Sequence, residues 1–245
     1  MAARQLGISR TAAKEIIRSG RLKLKGVPVL KPGMLLPQDA KISADEYEAA
    51  FISRGGDKLD AAFEYFGLSA AGQVCLDVGA STGGFTDCLL KRGALKVYAV
   101  ENGRRQLAES LRADTRVVSM EERDIRSVKH EWFNEAISFA TVDVSFISLK
   151  LVLEPIRAVL AKGADLVCLI KPQFEAGRGQ LSRRGIVRDE KTRQRVVNEI
   201  NSFANKLGLK NSGVLPFPNA PPKNKNQEYL AHYIYESQKI TSQTE

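Results

Sequence analysis

The sequence predicts an α/β fold, a mostly parallel sheet with helices on both faces, preceded by a small basic α+β module. Three observations carry that prediction. Residues 74–78, an apolar run with Asp77 embedded in it, read as a buried strand. A turn of Gly79, Ala80, Ser81, Thr82, Gly83 and Gly84 follows, then an amphipathic helix carrying Phe85, Cys88, Leu89 and Leu90. Downstream, apolar runs alternate with helical patterns, which implies parallel strands joined by crossover helices. The first 45 residues differ in composition. Nine Lys and Arg there stand against three acids, so they hold two thirds of the formal net charge of +9.

Taken in order, residues 1–45 form the module. Its helix is capped by Ser9 and runs to about Ser19, with Ala12, Ala13, Ile16 and Ile17 on one face and Gly20 ending it. Arg21 to Lys25 alternates, with Leu22 and Leu24 inward and Lys23 and Lys25 outward. Gly26 and Pro28 turn the chain, Val29–Leu30 and Met34–Leu36 continue the β unit, and Lys41–Ser43 closes it. Residues 46–56 read as a linker that bends at Gly55-Gly56, and Asp57 opens a helix through about Phe66. The main domain spans 57–235. Further strands are expected at 96–100, 116–119, 137–143 and 165–171, and helices near 104–112, 149–161 and 189–207. An irregular stretch holding Pro216, Pro218, Pro221 and Pro222 precedes a last strand over 226–235, and 236–245 is a polar tail.

A strand, glycine turn and helix of this Rossmann-like kind make a nucleotide-cofactor crevice at the carboxyl edge of the sheet. A dinucleotide fingerprint asks for G-x-G-x-x-G, and its second glycine is here Ser81, which crowds a pyrophosphate. The Asp-x-Gly-x-x-x-Gly loop suits S-adenosylmethionine, a nucleoside cofactor without phosphate. Its candidate binding residues are Asp77, Gly79, Ser81, Thr82, Gly83, Gly84 and Phe85, with Glu101 ending the next strand where a carboxylate reaches both ribose hydroxyls. Asp124, past the third strand, is a candidate for the adenine amino group and equally an ordinary turn residue.

Asp143 and Lys171 end two further strands on the same crevice side. A lysine closing a buried strand needs partners or a task, so the two are expected to face one pocket, as working groups or as a structural ion pair. Lys58 on spacing alone reads as a surface lysine. Arg178, Arg183 and Arg184 lie on a glycine-containing loop between 174 and 193, suited either to RNA phosphates or to solvent.

The pI of about 9.5 favours an acidic partner, nucleic acid first. Cys75, Cys88 and Cys168, without a C-x-x-C, read as reduced core cysteines of a cytoplasmic protein. His130 and His232 have no clustered partners, which argues against zinc. The nearest approach to a membrane span, residues 136–153, is interrupted by Asp143 and Lys150, so no membrane partner is expected.

Residues 9–26, Ser-Arg-Thr-Ala-Ala-Lys-Glu-Ile-Ile-Arg-Ser-Gly-Arg-Leu-Lys-Leu-Lys-Gly, resemble the small RNA-binding module first seen in ribosomal protein S four. The resemblance implies RNA contacts from Arg10, Lys14, Arg18, Arg21, Lys23 and Lys25, in a module shortened at its start. From Ser53 onward the chain resembles the TlyA, or hemolysin A-like, family, a branch of the FtsJ-type ribosomal RNA 2′-O-methyltransferases. The shared stretches are 53–59 (Ser-Arg-Gly-Gly-Asp-Lys-Leu), 76–88, 142–149 (Val-Asp-Val-Ser-Phe-Ile-Ser-Leu), 169–177 (Leu-Ile-Lys-Pro-Gln-Phe-Glu-Ala-Gly) and 185–189. That likeness implies an S-adenosylmethionine-dependent enzyme with ribosomal RNA or ribosomal subunits as partner. It also implies a catalytic Lys-Asp-Lys-Glu tetrad, matched by Lys58, Asp143, Lys171 and Glu228. Lys171 is then the general base, Lys58 stabilises charge on oxygen, and the carboxylates orient the lysines, Asp143 also lying near the methyl donor. Two positions depart from the family: Glu101 replaces an Asp, and 102–107 brings charge where the family is more aromatic. A pore-forming hemolysin, after the older family name, and an RNA-binding protein without catalysis are the competing classes.

Overall fold

The computed structural model describes residues 2–6, 13, 16–17, 22–29, 31, 33–37, 40–44, 50–218, 221 and 225–236. The chain divides into two compact units, residues 1–49 and 50–245.

In the first unit, β1 (Leu22–Leu24) is flanked by β2 (Val27–Pro28) and β3 (Ile42–Ala44) in an antiparallel sheet. Leu24 pairs with Val27 across Lys25-Gly26, whose φ values of 50° and 82° are those of a type I′ hairpin. The turn is therefore Lys25-Gly26, and Pro28 sits in the edge strand, where a missing N–H is tolerated. Ile16, Ile17, Leu22 and Val29 form the small core. Ala13, Ile16 and Ile17 are helical and buried, while the rest of the expected helix lies outside the described residues. Met34–Leu36 is irregular instead of β, and Leu35 is 95% exposed.

The second unit opens with α1 (Arg54–Phe66), capped by the Ser53 hydroxyl and ended by left-handed Gly67. The expected bend at Gly55-Gly56 is instead the first turn of this helix. A Cβ on Gly56 would lie 2.2 Å from Phe51, and one on Gly84 would lie 2.2 Å from Ser53 Oγ and 2.9 Å from Gly56 N. Gly84 lets the two helix starts abut, and Gly56 makes room for the Phe51 ring. Then come β4 (Val74–Val78), α2 (Gly84–Lys91), β5 (Lys96–Val100), α3 (Glu109–Arg112), β6 (Val117–Met120), β7 (Ile137–Val142) and α4 (Lys150–Val159). The chain continues through β8 (Leu160–Ile170), α5 (Pro172–Glu175), α6 (Glu190–Lys206), β9 (Leu209–Phe217) and β10 (Glu228–Tyr235).

The sheet order is β6-β5-β4-β7-β8-β10-β9, parallel from β6 to β8 and antiparallel at β10 and β9. Alternate strand residues sort into two cores. Leu76, Val78, Leu166, Cys168 and Ile170 pack with Val152, Ile156, Val196 and Ile200 of α4 and α6. Cys75, Val97, Val167, Leu169 and Leu230 pack with Leu59, Phe63, Phe85 and Leu89 of α1 and α2. Helices therefore cover both faces, as the period of two requires.

Two elements differ from expectation for physical reasons. Only 109–112 of the expected helix 104–112 forms, because Glu121 accepts the backbone N–H groups of Arg105, Gln106 and Leu107 at 2.9, 2.6 and 3.0 Å. Asn211, Gly213 and Pro216 hide β9 in the sequence, yet it is an edge strand, where such residues are tolerated.

Asp77 is fully buried on the α1–α2 side, its oxygens accepting from Thr86 Oγ1 (2.6 Å) and Thr141 Oγ1 (2.9 Å). Burial pushes its carboxyl up to about 6, against both hydroxyl bonds, which lower it. The folded state thus holds a proton where the unfolded chain has released it. Asp77 favours folding in acid and loses that contribution as pH rises from about 4 to about 6. Asp77→Asn should gain stability relative to the native protein across that window, by about 3 kcal/mol in urea unfolding. A difference between the two proteins that does not change with pH would refute a buried ionising group.

Candidate active site

The order of strands reverses between β4 and β7, with β5 and β6 on one side and β7 and β8 on the other. Such a switch point opens a crevice beyond the carboxyl ends of the strands. A cleft of about 840 Å³ lies there, lined by Gly79 and Ser81 after β4, residues 101–103 after β5, 123–126 after β6 and 143–148 after β7. Gly79 has φ +80°, and a Cβ on it would lie 2.6 Å from the Asp143 carbonyl oxygen. The two loops meet because this residue has no side chain.

Glu101 fastens the rim, accepting from Ser81 N at 2.9 Å and Gly103 N at 2.7 Å. Asp124 caps the short turn 125–127 through Arg126 N and pairs with the Arg126 guanidinium at 2.5 Å. That guanidinium holds the Asp124 carboxyl below its usual range.

Four charged groups gather at the same sheet edge. Asp143 follows β7, Lys171 follows β8, Glu228 opens β10, and Lys58 lies near the start of α1. Tyr229 pairs with Ile170, so Glu228 and Lys171 are the next positions along the ladder. Leu169 and Leu230 belong to the α1–α2 core, and strand alternation puts Lys171 and Glu228 on that side too. Lys58 Nζ lies 2.7 Å from Glu228 Oε2, and Lys171 Nζ 2.5 Å from Asp143 Oδ1. Lys171 Nζ also donates to Val144 O at 2.9 Å and Ser145 Oγ at 2.8 Å.

The loop after β7 carries Phe146 at φ 65° and 91% exposure, its ring centroid 5.0 Å from that of Phe174. Glu175 ties this loop to the one after β8, accepting from Ser148 Oγ at 2.6 Å and Leu149 N at 2.8 Å.

Comparison with known proteins agrees with this geometry. Residues 51–235 match the FtsJ-like methyltransferase family. The chain belongs to that family. "Hemolysin A" of Brachyspira hyodysenteriae is 42% identical over 229 residues, 92% of this chain and 94% of that one. The "16S/23S rRNA (cytidine-2′-O)-methyltransferase TlyA" of Mycobacterium tuberculosis is 40% identical over 228 residues, 93% of this chain and 85% of that one. A solved structure of a candidate hemolysin from Streptococcus thermophilus superposes with a TM-score of 0.78 at 38% identity, covering 94% of this chain and 84% of that one.

The cofactor of this FtsJ-like methyltransferase is S-adenosylmethionine. The cleft fits such a cation. The carboxylates of Asp143, Glu101 and Asp124 all line it, and of these only Asp143 and Asp124 already face a lysine or arginine among the described residues. Gly79, Ser81, Glu101, Asp124 and Asp143 line the cleft.

Other expected cofactor residues stand elsewhere in the methyltransferase. Asp77 is consumed by its two threonines. Gly83, Gly84 and Phe85 are buried, Phe85 within the α1–α2 core, and Gly83 against Leu107 and Leu111. Thr82 is exposed outside the cleft lining, its carbonyl accepting from Ala108 N at 3.2 Å.

Of the expected RNA contacts, Arg10, Lys14, Arg18 and Arg21 lie outside the described residues, as does the side chain of Arg178. Lys23 is in β1, Lys25 in the hairpin turn, and Arg183 and Arg184 are exposed before α6. The sequence reading did not single out Ser145 and Phe146, which line the cleft, or Phe174, which packs on Phe146. Their signal was a loop of serines and one aromatic between strand and helix patterns.

Gly79→Ala would force a left-handed alanine against the Asp143 carbonyl. Calorimetric titration with S-adenosylhomocysteine should show affinity lower by about tenfold or more, roughly 1.4 kcal/mol. Unchanged affinity would remove the close loop approach from cofactor binding.

Proposed function

We propose that this protein methylates ribose 2′-hydroxyls of ribosomal RNA, with Lys58, Asp143, Lys171 and Glu228 as its catalytic group. The observation that carries the reading is the pair of lysine–carboxylate bridges on one side of the sheet edge, one of which joins the cleft through Asp143. The activity named for the Mycobacterium tuberculosis relative supports the same chemistry. When bound, S-adenosylmethionine supplies an electrophilic methyl carbon that needs no activation by the protein.

The difficult half of the reaction is the hydroxyl, a poor nucleophile until its proton leaves. Lys171, 8% exposed and next to the cleft, is the general base. Lys58, held by Glu228, stabilises charge growing on the attacking oxygen. Asp143 orients Lys171 and borders the methyl donor. Fixing attacker and acceptor in line removes entropy that a free encounter would have to lose.

Phe146 suits a substrate base. An aromatic ring left almost fully in water, on a left-handed backbone at a cleft mouth, buries little apolar area for that strain beyond its contact with Phe174. A nucleobase drawn out of its stack would cover it. Lys23, Lys25, Arg183 and Arg184 are assigned to phosphates, together with Arg10, Lys14, Arg18, Arg21 and Arg178. Hemolysin names occur among the relatives, but among the described residues no helix is long and apolar enough to cross a membrane.

Lys171→Ala should lose methyl transfer to ribosomal RNA while titrating S-adenosylhomocysteine as the native protein does. Methylation by that variant would take Lys171 out of the mechanism. Phe146→Ala should raise KM for RNA by roughly five- to 150-fold, the value of one stacked base, and Phe146→Trp should restore it. An unchanged KM would leave the ring without a substrate role.

A further inference from the structure

We propose that Ser145 is a catalytic residue that relays the substrate hydroxyl's proton to Lys171. This rests on Lys171 being the base in the reading above. Three oxygens surround the Lys171 amine: the Val144 carbonyl at 2.9 Å, the Ser145 hydroxyl at 2.8 Å and Asp143 Oδ1 at 2.5 Å. A lysine ammonium has three hydrogens to give and no lone pair, so in this arrangement it accepts nothing. To act as a base it must first lose a proton, and its lone pair must then face a group with a hydrogen to donate. A carbonyl and a carboxylate have none, whereas a hydroxyl both donates and accepts. Ser145 is the partner among these three whose bond to Lys171 can reverse.

Its position suits the task. Ser145 is an exposed residue lining the cleft between Asp143 and Phe146, whereas Lys171 is 8% exposed. The Phe174 ring centroid lies 6.0 Å from the amine. Ser145 lines the cleft and bonds the amine, which is itself absent from the cleft lining, so the serine offers a route from a substrate in the cleft to the buried lysine. Glu175 anchors the same loop at Ser148 and Leu149, which keeps Ser145 in register with Lys171.

In the step, a bond forms between the ribose 2′-oxygen and the methyl carbon. The carbon–sulfur bond breaks, and its electron pair goes to sulfur. The 2′-proton passes to Ser145 Oγ while the serine's own proton passes to Lys171 Nζ. Ser145 is regenerated, the products are an ether and a thioether, and the lysine ammonium later releases its proton to solvent.

The test is single-turnover methyl transfer by the full chain to a ribosomal RNA transcript in mixtures of light and heavy water. Ser145→Ala should lower the rate by about 10²- to 10³-fold, a typical loss for a proton-transfer group. Its calorimetric affinities for S-adenosylhomocysteine and for the transcript should stay within about twofold. Ser145→Thr, which keeps the hydroxyl, should stay within about tenfold of the native rate. The native rate should bend with deuterium fraction, as two moving protons require, and the residual rate of Ser145→Ala should fall on a straight line. A native rate for Ser145→Ala, or a straight line for the native protein, overturns the relay. If Lys171→Ala is inactive while Ser145→Ala is not, the relay alone has failed. If the native protein leaves the transcript unmethylated, or Lys171→Ala methylates it, the base assignment has failed and the relay with it.

Discussion

A single buried carboxylate holds the switch point together. Asp77 belongs to β4, and its two oxygens take hydroxyls from Thr86 of α2 and Thr141 of β7. Three elements that border the crevice thus share one acceptor group. Keeping an acid fully out of water disfavours its charged form, and the two hydroxyls offset only part of that cost. What results is position. With β4, α2 and β7 fixed to one another, Gly79 can lie over the Asp143 carbonyl, and the loops after β4 and β7 form one wall of the cleft.

The two lysine–carboxylate pairs at the sheet edge extend that wall toward β8 and β10. Partly buried pairs of this kind add little net stability, because desolvation cancels much of their attraction. Asp143 and Lys171 sit just beyond β7 and β8, Glu228 opens β10, and Lys58 lies in the first turns of α1. Their effect is instead to couple loops. Lys171 reaches from the end of β8 to Asp143, Val144 and Ser145 after β7, and Glu175 repeats the connection at Ser148 and Leu149. The loops after β7 and β8 are joined at five residues of one loop by two of the other. A site assembled from separate strands gains its precision from such cross-links.

Much of this was readable from residue patterns, and the failures share a cause. Strands β4, β5 and β7 were legible because they are buried on both faces and read as continuous apolar runs. Placing Asp143 and Lys171 at one crevice needed only the rule that parallel strands end on one edge. Asp77 was assigned to the cofactor because a motif fixes a residue's position in the chain but not the face of the pleat it occupies. Its alternation with Cys75, which packs among α1 and α2, decides that face. Gly56 and Gly84 were read locally, as bend and ligand cradle, although their need for no side chain comes from Phe51 in the one case and from the start of α1 in the other. Lys58 shows the same limit. Nothing within ten residues of it announces Glu228, which is 170 positions away.

The identity of the cofactor follows from where the backbone donors of the glycine turn go. A pyrophosphate cradle needs free N–H groups and a helix start with unspent positive character. Here Gly79 N and Ala80 N donate to Val100 O, Ser81 N donates to Glu101, and Gly83 N donates to Ala80 O. The start of α2 carries Asp87, whose carboxylate already takes Ile52 N at 2.8 Å and Lys91 Nζ at 3.0 Å. Ser81 therefore does more than crowd a phosphate, because its own amide closes the turn onto Glu101, the acid after β5. What the rim presents instead is acceptor oxygen from Glu101, Asp124 and Asp143, two of them already facing lysine or arginine. With these turn amides spent on Val100 O, Glu101 and Ala80 O, the loop offers a diphosphate fewer donors than the dinucleotide pattern would, so the departure from that pattern shows in the hydrogen bonds as well as in the residues.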